Sequence, residues 1–431
     1  MSRILVIIFL LTSLISKSFA TTVTEVRSQK GLSAWLVKEH SIPFVAIEIR
    51  LKGGATLDRD GKRGAVYLMS ALMNEGAGDL DSSQFSAEME RLALKLDFDV
   101  YQDSMSISVK FLTENKDEAI DFLKMALLQP RFDNEPIERV RNQVISILGS
   151  NSKDPNKISS KVFFQKAFPN HLYGSGKEGS IETVSSINRE DILNAYSDIF
   201  YQKEVFISAV GDISEGELAS LIDKIFGNIP VNERPNIDRA KYSLGGGSTV
   251  VDYDTPQSVV IFGQQGIKRE DSDFFPAYVL NHILGGSGFG SKLMQELREK
   301  NGLTYGISTY LVNWENADLL LGQFSTSNET AYKAINMIKD LWKELVINGV
   351  SSKELEDAKT FLTGAYPLRF DGNSRIANIL VGMQMQGLSV DYIKNRNNKI
   401  NDVSLEDLKR VASKLLIEDE LHFVIVGRPT S

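Results

Sequence analysis

The chain has 431 residues, 42% of them hydrophobic and 24% charged, with 48 Lys and Arg against 56 Asp and Glu for a formal net charge of −8, and no cysteine. This is a globular composition, and a single hydrophobic core stops growing near roughly 250–300 residues, so at least two domains are expected. The missing cysteines exclude disulfides, thiolate-held zinc, iron–sulfur clusters, a cysteine nucleophile and a lipid-modified cysteine, and the acidic balance argues against nucleic acid as a partner.

Residues 1–20 read as a signal peptide. Arg3 supplies the positive end, 4–15 form an apolar run broken only by Thr12 and Ser13, and Ser18 and Ala20 are the small residues of a cleavage site. Twelve apolar residues fall short of the ~20 that span a bilayer. The mature chain is therefore expected to be exported, periplasmic or otherwise, with no membrane association after cleavage.

Alternation over 46–52 predicts a half-buried strand, and 63–74 a helix. A second helix is predicted over 83–96, with Phe85, Met89, Leu92 and Leu96 at helical spacing after an Asp81/Ser82 cap. Strands over 98–101 and 105–112 flank a Gln-Asp-Ser turn, and a helical period resumes over 116–128. The first half closes with a buried strand over 205–212 that ends in a glycine turn. After a polar, Pro- and Gly-containing stretch at 230–248, the second half carries a helix over 274–284, a glycine-rich run at 285–290, a helix over 291–300 stopped by Asn301-Gly302, and a strand over 303–311. Residues 422–428 repeat the strand-then-glycine ending, and Gly427 lies 216 positions after Gly211, which points to an internal duplication. The expected architecture is α+β: two duplicated domains, 21–229 and 249–431, joined by the linker 230–248. Each is a mostly antiparallel sheet with helices on one face.

The glycine run is no phosphate loop, because Ser291 precedes Lys292 and the run follows a helix instead of a strand. It is either a helix-to-helix turn capped by Ser287 or Ser291, or a loop that contacts substrate through Gly286, Gly288 and Gly290. By themselves, Arg298 could complement a helix dipole and Tyr305 could pack in a sheet.

Together, the duplicated chain, the segment Leu297-Arg298-Glu299-Lys300-Asn301-Gly302-Leu303-Thr304-Tyr305-Gly306, the glycine run before it and the helix opening Gly64-Ala65-Val66 resemble the pitrilysin-type metallopeptidases, the inverzincins. In active members that helix carries H-x-x-E-H, two imidazoles for zinc and a Glu as general base. Here the three positions hold Val66, Met69 and Ser70, and the acidic positions further on fall at Val140 and Ile147. None is a good zinc ligand or a proton acceptor. Four histidines, none closer than 111 residues to the next, offer no local substitute. Val66, Met69 and Met73 instead form an apolar helix stripe.

The resemblance also implies that Arg298 and Tyr305 reach a substrate cleft, where they hold the peptide backbone and stabilise an oxyanion. It implies a zinc-free subunit with no cofactor of its own, paired with a homologous H-x-x-E-H subunit that carries the zinc, like the zinc-free subunit of the mitochondrial processing peptidase. The other reading is a catalytically inactive peptide-binding or assembly protein of the same fold.

Overall fold

The structure, a computed structural model, describes residues 22–200, 204–229 and 236–430; the expected signal peptide and the first six residues of the 230–248 stretch lie outside them. The first half builds a six-stranded sheet from β1 (Thr24–Arg27), β2 (Ser33–Lys38), β3 (Phe44–Lys52), β4 (Lys95–Val100), β5 (Ser104–Leu112) and β6 (Val205–Gly211), in the order β1-β2-β6-β3-β5-β4. The second builds a five-stranded sheet from β7 (Gly247–Asp252), β8 (Gln257–Gln265), β9 (Ile307–Asn313), β10 (Asp318–Ser327) and β11 (His422–Gly427), in the order β7-β11-β8-β10-β9.

Without β1 the two orders coincide strand for strand. In each sheet the closing strand runs parallel to one neighbour, β6 to β2 and β11 to β7, while the other pairings are antiparallel. The two closing glycines do the same work. Gly211 (φ 140°) and Gly427 (φ 152°) take a backbone conformation that other residues avoid, and a Cβ on them would fall 2.2 Å from the Phe44 carbonyl oxygen and 2.7 Å from Ser258 Oγ.

The helices of the first half are α1 (Ala65–Leu72), α2 (Ser82–Arg91), α3 (Lys116–Leu128), α4 (Asn134–Asn151), α5 (Pro155–Ala167), α6 (Ile181–Ser186), α7 (Arg189–Phe200) and α8 (Glu215–Phe226). Those of the second are α9 (Phe274–Asn281), α10 (Ala331–Asn348), α11 (Ser352–Gly364), α12 (Asn373–Met385), α13 (Tyr392–Asn401) and α14 (Leu405–Leu415). The strand expected over 98–101 starts back at Lys95, and two other boundaries move further. The helix over 83–96 begins as expected, with Asp81 and Gln84 in a reciprocal cap, but ends at Arg91, because Ala93 turns left-handed (φ 48°) and Leu96 is buried from within β4. The strand over 303–311 starts only at Ile307. Before it, Thr304 Oγ1 accepts from the Gly306 N–H (3.1 Å) and donates to the Gly306 carbonyl (2.9 Å), a local turn that competes with the ladder.

Each half packs most of its own helices on one face of its sheet, as expected. The opposite face carries a helix from the other half. On the second sheet, Phe163 and Ala167 of α5 bury against Ile261, Leu319, Leu321 and Val424; on the first, Ile376, Ala377, Leu380 and Met383 of α12 bury against Trp35, Val37 and Val210. The central strands are thus covered on both sides, which explains continuous apolar runs such as Phe423-Val424-Ile425. Polar groups lock the α12 exchange: Ser208 Oγ donates to the Ala377 carbonyl (2.6 Å) and Gln384 Nε2 to the Ile207 carbonyl (2.9 Å).

Candidate functional site

Helix α1 carries the positions that resemble a degraded metal motif. Its N-terminus is held by a side chain from outside the helix: the Asp58 carboxylate accepts from the N–H groups of Gly64 and Val66, each at 2.8 Å. Arg63 pairs with Asp58 at 3.3 Å and donates to the carbonyls of Leu172, Gly176 and Ser175 at 3.0–3.1 Å. Burial pushes the Asp58 carboxyl up to about 6, against the opposing pull of Arg63 and the two amides, and burial also lowers Arg63. This buried clamp was not read from the sequence; a charged pair five residues apart in a loop has no periodic signature.

Beyond the clamp, α1 is packing surface. Val66, Met69 and Met73 have no exposed area, and Ser70 spends its hydroxyl on the Tyr67 carbonyl (2.8 Å). On α4, Val140 lies in the same core while Ile147 points outward, 43% exposed. The four histidines are dispersed: His40 pairs with Asp212 (2.6 Å), His171 contacts the Asp238 carbonyl (3.2 Å), His282 stacks on Phe361 (5.1 Å) and His422 contacts Thr249 (3.0 Å). Among the described residues no three His, Cys, Asp or Glu side chains gather to hold a metal. The side chains at the motif positions do not fit zinc.

In the second half, α9 widens into a π-helical turn, His282–Gly286, followed by a tight 3-10 turn, Gly288–Gly290, and a second π-helical stretch, Met294–Lys300. Such wide turns are rare and concentrate at functional sites. The run connects two helices, one of its two expected forms, and Ser291 caps it, its hydroxyl donating to the Gly288 carbonyl (2.8 Å) and accepting from the Met294 N–H (3.4 Å). Gly286 ends the first wide turn beside Asn281. Gly288 has φ +63° and open space around it, and Gly290 ends the tight turn. The residue that the connection cannot lose is Gly285: a Cβ there would lie 2.4 Å from Thr309 Oγ1 and 2.8 Å from Thr309 N, so only glycine lets the turn rest on β9. Sequence reasoning passed over it among its neighbours.

Arg298 stands half-buried in the second π-helical stretch, its guanidinium 4.5 Å over the ring of Phe289, which is itself 63% exposed. Among the described residues that guanidinium has no carboxylate partner. Tyr305 is 85% exposed at the entry to β9. It shares with Gly288, Thr304 and Ser308 a cavity of about 470 Å³ that Asn156 and Ser159 of α5 also line. The structure therefore brings Tyr305 and Gly288 to one cavity and Arg298 onto the tip of the same loop, without placing Arg298 in the cavity wall. An exposed phenol and a guanidinium without a carboxylate partner, beside a glycine-rich loop, can donate hydrogen bonds to peptide carbonyls.

Residues 34–176 match the family described as insulinase, peptidase family M16, and residues 186–362 the peptidase M16 inactive domain. The chain is 26% identical over 391 residues to a Helicobacter pylori protein named non-peptidase homolog YmxG, each covered to 90%, and 20% identical to a mitochondrial-processing peptidase subunit beta from Lentinula edodes, covering 95% of this chain and 92% of that one. A Pseudomonas fluorescens structure titled peptidase M16 inactive domain superposes with a TM-score of 0.88 at 23% identity, over 95% of this chain and 98% of that one. With the duplicated sheets and both sequence halves matched, the chain belongs to the peptidase M16 family.

Proposed function

We propose that this chain is the zinc-free subunit of an exported two-chain M16 peptidase, and that it contributes Arg298 and Tyr305 to a peptide-cleavage site whose zinc and general base belong to a homologous H-x-x-E-H subunit. One contrast carries the reading. The motif positions on α1, Val66, Met69 and Ser70, are buried in the core, while Tyr305 stays 85% exposed beside a cavity and Arg298 has no carboxylate partner among the described residues. Packing alone would not keep a phenol in solvent.

In this scheme Arg298 donates to substrate carbonyls in the ground state, and Tyr305 donates to the oxyanion as it forms. The loop Gly286 to Gly290 offers backbone N–H groups to the peptide. The test uses the chain reconstituted with an H-x-x-E-H homologue and a fluorogenic peptide. Tyr305→Phe is expected to keep the fold and lower kcat by roughly 10²–10³, the usual loss for one oxyanion donor, and Arg298→Ala to raise KM as well as lower kcat. Full activity in both variants assigns the chain instead to the inactive binding or assembly class, the reading favoured by the name of its Helicobacter relative.

A further inference from the structure

A second and larger cavity, about 690 Å³, opens between the two halves at the opposite end of β9 from Tyr305. Arg50 and Lys52 of β3, Tyr101 and Lys177 line it from the first half, and Lys268 and Arg269 from the second. Two further ion pairs in its wall are internally balanced: Lys52 meets Glu315 at 3.1 Å, and Arg239 meets Asp318. Asp103 accepts from the Tyr173 hydroxyl (2.6 Å) and the Glu315 N–H (3.0 Å), and Glu270 stands exposed at the rim.

Among the described residues Arg50, Lys177 and Arg269 form no salt bridge, while Lys268 feels the Asp271 carboxylate. Arg50 lies 4.7 Å over the Tyr101 ring, reaches Asn378 Oδ1 only at 3.4 Å, and leaves its Nε buried without an acceptor. Its nearest acid on the same strand, Glu48, bonds Ser108 (2.9 Å) and is pushed up to about 7 by burial, so it supplies only part of a counter-charge. Lys177 caps the same ring from 5.6 Å and donates to the Val100 carbonyl (2.6 Å). Arg269 lies over Phe274 (4.1 Å) and donates to the Tyr392 hydroxyl (2.9 Å). In a chain of net charge −8, a concave wall with surplus positive charge and a buried donor lacking an acceptor concentrates anions.

We infer that this cavity binds a carboxylate carried by a peptide, either its C-terminal group or an Asp or Glu side chain, through Arg50, Lys177 and Arg269. The inference rests on the peptide-binding reading above and adds a substrate preference to it. Guanidinium and ammonium donors from both halves suit a planar carboxylate.

The test measures binding to the full mature chain at low ionic strength. Calorimetry with succinate reads the cavity alone, and fluorescence anisotropy reads three labelled nonapeptides of one neutral sequence: free C-terminal carboxylate, C-terminal amide, and amide with one internal Glu. The expected result is succinate binding and at least tenfold tighter binding of the carboxylate-bearing peptides, whichever of the two prevails identifying the source. Arg50→Gln and Lys177→Gln should each abolish most of that preference, while Arg50→Lys, which keeps the charge, should retain it and so separates charge from folding. Charge-blind peptide binding, or a preference unchanged in both glutamine variants, overturns the inference. Succinate binding with no binding of any peptide overturns the peptide-binding reading instead and leaves the anion site standing.

Discussion

Glu48 sits in the middle of β3 with 4% of its surface exposed, and its burial raises the carboxyl from 4.5 to about 7. The folded chain therefore holds a proton that the unfolded chain releases between about pH 4.5 and 7. The stabilisation this gives is complete below 4.5 and is lost as pH rises through 7. Urea unfolding is expected to show native stability falling by roughly 1–3 kcal/mol from this source between pH 5 and 8, and Glu48→Gln should flatten that fall. Identical slopes for the two proteins would show that Glu48 is charged in the folded state. Asp58 acts with the same sign over about pH 3.8–6 and remains in the variant. The alternation over 46–52 reads Glu48 as solvent-facing; it is buried because α12, far away in sequence, covers that face near Ser208. The apolar stripe Val66, Met69 and Met73 was legible because its spacing alone defines a buried helix face.

Local chemistry set how well each element could be read. Helix α3 spans the expected 116–128 because it is a long uninterrupted helical period, whereas α2 ran on in the reading because nothing in Ala93 announces a left-handed turn. The glycine run was legible as a connection, but which glycine bears the constraint depends on what lies beneath it. A Cβ added to Gly285 would lie 2.4 Å from Thr309 Oγ1, while one on Gly288 would have nothing within 4 Å. Gly285→Ala must push the turn off β9 and is expected to cost about 1–3 kcal/mol, the usual price of overpacking. Gly288→Ala meets only the penalty of its φ of +63°, on the order of 1 kcal/mol. Thermal unfolding checks the order, and Gly288→Ala proving the more damaging would mean that the loop is held by contacts at its tip and not by its seat on β9.

At the scale of the whole molecule, the duplicated sheets were legible because the closing strands repeat their ending, Gly211 and Gly427, at an offset that the chain preserves. The exchange of helices was not, since α5 and α12 are only weakly amphipathic and nothing in them says which sheet they cover. The exchange has a thermodynamic consequence. Leu380 is fully buried, belongs to the second half and packs on the first sheet beside Trp35 and Val210. Leu380→Ala removes buried methyl groups and leaves a cavity, which costs about 2–5 kcal/mol. If the halves were independent, that loss would lower one transition and spare the other. With α12 seated on the first sheet and α5 on the second, neither sheet keeps both faces covered once its partner unfolds, so the loss is expected to lower one shared midpoint. Trp35 reports the first sheet and Trp342, stacked edge-on to Phe262, reports the second core. Variants retaining either tryptophan alone should therefore unfold at the same urea concentration, and Leu380→Ala should shift both together; two separated midpoints in the parent chain would show that the exchanged helices do not couple the halves.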